Sequence, residues 1–134
     1  MRQHIDAIRA LLSPTPVYYA DATGATTYPY VLVWSTPGGD DVESPIGDDG
    51  AWSDLIGVTS VDTTPNNALL LAAKVRLLLD SSTPAVAGRH VRLHLRRDLG
   101  QTVHPDRDVT LPGTNTHPCF QVDRYLMTSQ PIQE

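Results

Sequence analysis

The chain has 134 residues, of which 40% are hydrophobic and 19% are charged, and these values are typical of one globular domain. The formal net charge of −5 argues against general affinity for nucleic acid, and the single cysteine, Cys119, excludes an internal disulfide framework. There is no basic apolar leader and no apolar run of about 18 residues, so we expect a protein made in the cytosol that neither enters a membrane nor is secreted.

The first predicted elements are one helix and two strands. In residues 2–12 the apolar side chains recur at helical spacing, and Ser13-Pro14 ends the run because a residue before proline is pushed out of the α region. Residues 17–19 form a brief predicted strand. Residues 28–34 are aromatic and β-branched on both faces, which predicts a central strand that is covered on both sides.

A long segment rich in glycine and proline follows at residues 35–51. It is too long and too rich in helix and strand breakers for a hairpin turn, so we expect an extended surface loop. Its acidic residues resemble a calcium loop in composition only, because they lack the alternating spacing of oxygen ligands. Loops of this length in compact domains are usually functional or disordered.

The strongest local pattern is a strand followed by a helix. Residues 54–62 alternate as a strand, and Gly57 within it indicates a bulge or a close approach to the backbone. Thr64 is a favourable N-cap, Pro65 suits the first helical position, and residues 68–79 are almost all strong helix formers. This helix is so rich in leucine that we expect it to pack on the sheet and also on a neighbouring subunit.

Residues 91–96 alternate apolar and basic side chains. This pattern predicts a strand with one face on the core and the other face in solvent. The solvated face carries Arg92, His94 and Arg96, which we expect to lie at a subunit or partner surface.

The last third of the chain contains one more predicted strand. Residues 100–117 contain two prolines and two glycines and are predicted to be a loop. Residues 118–128 then form the final strand, with Phe120 and Val122 pointing inward. The tail from residue 130 is predicted to be loose.

The histidines and the cysteine do not form a recognisable catalytic or metal-binding motif. His90 and His94 share a strand face but are about 13 Å apart in an extended chain, which is too far for one metal ion. A small metal-dependent or thiol enzyme would need His104, His117 and Cys119 to converge in one pocket, and a buried structural thiol is the simpler interpretation. We therefore predict no catalytic residue, no metal and no cofactor.

Charge is separated along the chain. Residues 40–54 carry six acids and no base, whereas residues 89–107 carry five of the ten cations. Opposite patches allow one copy to bind the next head to tail, although two solvated segments, or two that meet within one monomer, would show the same pattern. Apolar anchors would have to supply most of the affinity. The predicted subunit or partner interface consists of Asp40, Asp41, Glu43, Asp48, Asp49, Trp52, Arg92, His94 and Arg96.

The order of these elements resembles the tail terminator proteins of long-tailed bacteriophages over nearly the whole chain. The parts that carry the resemblance are the strand Tyr28-Pro29-Tyr30-Val31-Leu32-Val33 and the strand that leads into the leucine-rich helix up to Leu79. The arginine-rich, lysine-poor composition also fits a phage of a GC-rich host.

Membership of that family would imply an α+β fold, with two helices packed on a mostly antiparallel sheet of four to five strands. It would also imply a hexameric ring in the virion that caps the tail tube, stops its polymerisation and joins the tail to the head-side connector. DNA would pass through the lumen without sequence-specific binding, and there would be no catalysis.

Three other interpretations remain open at this point. Another head-to-tail joining protein, such as a stopper or a tail-completion adaptor, has a similar length and also forms rings. The small enzyme described above is an alternative of a different class. A monomeric adaptor is the third, and it would leave the leucine-rich helix fully covered within its own subunit.

Overall fold

The computed structural model describes residues 2–20, 27–35 and 51–132, without the side chains of Arg2, Ser35 and Trp52. In this part of the chain it has two helices and six strands, which confirms the α+β class. The elements are α1 (Arg2–Leu12), β1 (Val17–Tyr19), β2 (Tyr30–Ser35), β3 (Trp52–Asp62), α2 (Pro65–Leu79), β4 (Arg89–Leu95), β5 (Gln101–Pro105) and β6 (Cys119–Pro131), with a 3-10 turn at Arg97–Leu99.

The six strands form one mixed sheet in the order β1-β2-β3-β6-β4, and β5 pairs with the start of β6. β1 runs parallel to β2, with Val17 opposite Val31, and the remaining pairs are antiparallel. The expectation of a mostly antiparallel sheet with four to five strands was therefore wrong. Strand direction depends on how the chain crosses from β1 to β2, and the sequence pattern of a three-residue strand carries no information about that path.

The additional strand is β5, which lies inside residues 100–117, where a loop was predicted. Four of its five residues are exposed, so it lacks the apolar alternation that identifies a strand in a sequence. It forms because its backbone pairs with β6 at Gln101↔Val122 and at His104↔Phe120, with an irregularity between. Proline at its end, Pro105, is tolerated at the end of an edge strand.

Both helices pack on one face of the sheet and enclose the core. The apolar residues of α1, including Ile5, Ile8 and Leu12, are buried as the helical spacing predicted. They pack with the residues of β2, β3, β4 and β6 that point to the same side. The buried strand residues in this core are Val31, Val33, Ile56, Val58, Val91, Leu93, Tyr125 and Met127.

Phe120 and Val122 were predicted to point inward; Val122 is buried and Phe120 is half-buried, but both lie on the sheet face opposite the helices and outside the main core. The pairing of β3 with β6 is continuous, so alternate residues of β6 point to opposite faces, and Tyr125 and Met127 are the ones that face the helices. The same helix-facing row includes the buried polar residue Asp123. The prediction assumed that the apolar residues of β6 face the core. In the structure the row that faces the helices also contains polar residues, and the opposite row contains apolar ones.

Two further boundaries also differ from the expectations. β2 begins at Tyr30, and among the described residues helices cover only one of its two faces. β6 continues to Pro131, and the Ile132 N–H donates to the carbonyl oxygen of Gly88 at 2.9 Å, so the predicted loose tail is paired up to residue 132. No described helix is both long and apolar enough to cross a membrane.

Candidate functional site

Helix α2 is held firmly at its start and along its inner face. The Thr64 hydroxyl accepts a hydrogen bond from the Asn67 N–H at 3.1 Å, and Pro65 occupies the first helical position, as predicted. Five side chains of the helix are buried on the sheet, namely Ala68, Leu71, Ala72, Val75 and Leu79. The side of α2 that faces away from the sheet is therefore presented in a fixed orientation.

An ion pair locks the same helix to β6. Arg76 donates from Nη2 to Asp123 Oδ1 at 2.7 Å and from Nε to Oδ2 at 3.0 Å, in the bidentate geometry that arginine and carboxylate prefer. The Asp123 side chain is 3% exposed, whereas the Arg76 side chain is 38% exposed. Arg76 is thus the cation paired with the buried carboxylate of Asp123, and this pair joins α2 to β6.

The outer face of α2 is unusually apolar. Leu77 is 87% exposed, Leu70 is 61% exposed and Leu69 is 44% exposed, with Leu78 beside them at 38%. Together with the exposed Ala73, these four residues form what we call the leucine ridge. A helix on a solvated surface normally carries charged or polar residues there, so the ridge is a candidate interaction surface.

The face of the sheet opposite the helices is the second surface that no described helix covers. Leu32, Trp34, Leu55 and Leu126 lie on it and are half-buried, because neighbouring side chains on a sheet screen one another. No helix of the described residues packs on this face. We call these four residues, together with Arg124, the open sheet face.

Trp34 is held at the centre of the open sheet face by three contacts. Its indole N–H donates to the Thr59 hydroxyl at 3.0 Å, and the Arg124 guanidinium lies 5.0 Å from the ring centroid. Its ring covers Gly57, where a Cβ atom would overlap the indole. The close approach predicted at Gly57 is thus confirmed. The result is a flat surface with an ordered aromatic centre.

The predicted register of β4 is also confirmed. Val91 and Leu93 are buried in the core, whereas Arg92 and His94 are exposed on the other face. Arg96 follows the end of β4 and donates to the two carboxylate oxygens of Asp98 at 3.2 and 3.1 Å. The exposed basic row on β4 itself therefore consists of His90, Arg92 and His94.

A groove of about 1090 Å³ lies beside this row, between the start of β4, the end of β6 and the start of β3. Arg89, His90 and Arg92 line it together with serine, threonine and glutamine side chains. None of the described residues that line it is acidic. The groove therefore has the charge and the polar groups to receive an acidic segment.

Buried polar groups under the groove connect α1 to the sheet. Arg89 Nε donates to the Ser129 hydroxyl at 2.6 Å, and Ser129 lies 3.0 Å from Nε2 of the buried His4. Burial, followed by nearby positive charge that includes Arg89, lowers the pKa of His4 to about 4. His4 is therefore neutral at pH 7, and the Ser129 hydroxyl can donate its hydrogen to the imidazole.

His104, His117 and the cysteine make local contacts. Nδ1 of His104 lies 2.9 Å from the Thr102 carbonyl oxygen, and Nδ1 of His117 lies 2.6 Å from that of Val109. Cys119 is buried, and burial raises the pKa of its thiol. In the described ranges, no three residues with metal-ligating side chains come together.

Some predicted interface residues are outside the part of the chain that can be described. Asp40, Asp41, Glu43, Asp48 and Asp49 lie outside the described residues, as does the side chain of Trp52. The structure adds the leucine ridge and the aromatic centre of the open sheet face. The sequence contained signals for both, in the excess of leucine on α2 and in Gly57, but neither signal identified which side chains remain uncovered.

Comparison with solved structures identifies chains of the same fold. One solved chain, for which no function is stated, is 16% identical with a TM-score of 0.54, and the match covers 99% of this chain and 92% of that chain. Another belongs to the virion of a native gene transfer agent particle. It is 14% identical with a TM-score of 0.54, and the match covers 93% of this chain and 84% of that chain. No protein-family model and no curated protein matches the sequence.

Proposed function

We propose that this chain is a structural protein of a virion, and specifically a ring-forming tail terminator. In this role a hexameric ring caps the head-proximal end of the tail tube, stops its polymerisation and binds the head-side connector, and DNA passes through the lumen. The chain binds other copies of itself and its neighbours in the virion, and it has no catalytic residue and no cofactor.

The observation that carries this proposal is the fold that the chain shares with a chain of the gene transfer agent virion over 93% of its length. The leucine ridge supports it independently, because a monomeric adaptor would bury the leucine-rich helix within its own subunit. Leu77 at 87% exposure is instead available to another chain. Exposed apolar surface of this kind is typical of proteins that function as assemblies.

The basic row of β4 has a complementary role in this proposal. The groove lined by Arg89 and Arg92 would receive the acidic residues 40–49 of an adjacent copy, with Trp52 as an apolar anchor next to them. An exposed ion pair contributes only about 0 to 1 kcal/mol, so these charges would fix orientation and accelerate encounter and would not hold the ring together.

Two measurements test the proposal. Native mass spectrometry should detect a particle six times the 14.6 kDa mass of the chain, and electron microscopy should show closed rings. Added to the polymerising tube protein of the same particle, the rings should bind one end of each tube and stop its growth. A chain that stays monomeric at all concentrations would contradict the proposal.

The same experiment distinguishes the nearest alternative. A stopper or tail-completion adaptor would also form rings, but it would leave tube growth unchanged. Rings without any effect on tube length would therefore assign the chain to another head-to-tail joining role.

A further inference from the structure

Two apolar surfaces that no helix or strand of the described residues covers lie on opposite sides of the two-layer domain. The leucine ridge is on the outer side of the helical layer, and the open sheet face is on the outer side of the sheet. Contacts within the chain hold each surface in place. The Arg76–Asp123 pair holds the helix that carries the ridge, and the hydrogen bond and cation–π contact of Trp34 hold the centre of the open sheet face. Both surfaces can therefore bind a partner without rearrangement.

We propose that the leucine ridge of one copy packs on the open sheet face of the next copy. This contact rests on the proposed ring function and specifies how neighbouring subunits meet. It joins two different surfaces, so after the first contact one copy still has its open sheet face unused and the other still has its leucine ridge unused. Such heterologous contacts form a ring when the rotation between copies closes.

The size of the ridge favours this partner. The exposed parts of the four leucines amount to roughly 400 Å², the scale at which patches on monomers are often functional. If two ridges packed on each other, each copy would bury only this area, about half of the roughly 800 Å² per partner of a stable interface. A sheet face is broader than one helix, and it can contact the flanks of α2 as well as its crest.

The chemistry of the two surfaces is also compatible. The ridge projects the branched ends of Leu70 and Leu77, and the open sheet face presents the indole of Trp34 over Gly57, in the row next to the paired Leu55 and Leu126. Aliphatic side chains against an ordered aromatic ring give the apolar centre that typically dominates an interface. Such a contact extends the helix-on-sheet packing of the domain to a second copy.

The first test changes the charge of the ridge at its most exposed point. Leu77→Asp should leave the circular dichroism and the unfolding midpoint of the isolated chain unchanged, since Leu77 makes little contact within its own subunit. It should raise the concentration for half-assembly at least about tenfold. Val109→Asp is the matched control, because Val109 is 39% exposed and lies outside both surfaces. Normal assembly by Leu77→Asp would overturn the proposal.

The second test identifies the surface that meets the ridge. Copies carrying Leu77→Cys and copies carrying Leu126→Cys, both with Cys119→Ala, are oxidised separately and as a mixture. We expect disulfide-linked dimers only in the mixture. Dimers formed by Leu77→Cys alone would assign the ridge to a symmetric contact, and no crosslink in any sample that still forms rings would assign the subunit contact elsewhere.

These outcomes distinguish a failure of the proposed contact from a failure of the proposed function. A wild-type chain that stays monomeric rejects the ring function and the contact with it. Rings that persist in Leu77→Asp reject the contact alone. If Leu77→Asp still forms rings but these rings no longer stop tube growth, the contact is also rejected, because the ridge would then bind the tube protein and not a second copy.

Discussion

The indole ring of Trp34 lies directly on Gly57, the residue opposite it on the adjacent strand β3. No other residue type leaves room for the ring in this position, because any Cβ atom at residue 57 would overlap it. The glycine thus allows an aromatic side chain to lie flat on the sheet and to present its outer surface. This relationship fixes the centre of the open sheet face.

Gly57→Ala should therefore displace Trp34 and destabilise the domain by about 1 to 3 kcal/mol. The displaced indole would also lose its hydrogen bond to Thr59. The measurements are the urea midpoint and the indole fluorescence, recorded with Trp52→Phe so that one tryptophan reports. Thr59→Val is the control that removes the hydrogen bond alone and should shift fluorescence less. An unchanged midpoint for Gly57→Ala would mean that the ring moves aside without cost.

The Arg76–Asp123 pair should respond asymmetrically to mutation. Arg76→Met leaves the nearly fully buried carboxylate of Asp123 without its main cation and should cost about 2 to 4 kcal/mol. Asp123→Asn leaves a guanidinium that already reaches solvent and should cost less, about 1 to 2 kcal/mol. Chemical denaturation of both variants and of the double variant measures the difference. A larger loss for Asp123→Asn would contradict the assignment of the carboxylate as the buried partner.

His4 should make the domain less stable in mild acid. Its pKa is about 4 in the folded protein, whereas the ordinary pKa of a histidine in an unfolded chain is 6.5, so the unfolded state binds a proton first as the pH falls. Stability is therefore fully present above pH 6.5 and decreases from there toward pH 4. Between pH 7 and pH 5 the loss should be about 2 kcal/mol.

Carboxylates also titrate toward the acidic end of this range, so the informative quantity is a difference between variants. Both proteins should lose unfolding free energy between pH 7 and pH 5. The loss in His4→Gln should be smaller than the loss in the wild type by nearly the whole of the about 2 kcal/mol assigned to His4. Equal decreases in the two proteins would show that His4 is protonated in the folded state.

The sequence predicted local features of this fold better than its long-range pairings. Helix α2 was predicted from Thr64 to Leu79 because its cap, its first-turn proline and its composition are all local signals. The β4 register followed from strict alternation around Leu93. By contrast, β5 forms through backbone pairing with β6, and the helix-facing row of β6 contains Asp123, whose cation is 47 residues away on α2. Information of that kind is absent from a short stretch of sequence.

For the candidate surfaces, too, the sequence predicted what depends on local pattern and not what depends on long-range packing. Alternation identified Arg92 and His94 as exposed because the period of a strand is visible in six residues. On α2 nearly every position is apolar, so no periodicity distinguished the buried Leu71 from the exposed Leu77. That distinction depends on which side of the helix meets the sheet. The acidic residues 40–49 remain a sequence-based prediction, since they lie outside the described part of the chain.

The acidic segment and the basic row of β4 can be tested by exchanging their charges. Asp48→Arg with Asp49→Arg in one chain, or Arg92→Asp with Arg96→Asp in another, should slow or misdirect ring assembly and leave the monomer folded. The effect should shrink as the salt concentration rises, because salt screens exposed charges. Native mass spectrometry at low and high salt measures the assembled fraction of each variant.

Mixing the two charge-reversed chains should restore part of the assembly, because opposite signs again meet across the contact. Arg96 also binds Asp98, so Arg92→Asp alone is the matched control that leaves this local pair intact. If Arg92 faces the acidic segment of a neighbouring copy, this single change should reproduce most of the defect. Normal rings from both charge-reversed chains at low salt would mean that the charges are only solvated, and the leucine ridge would then be the remaining candidate for the contact between copies.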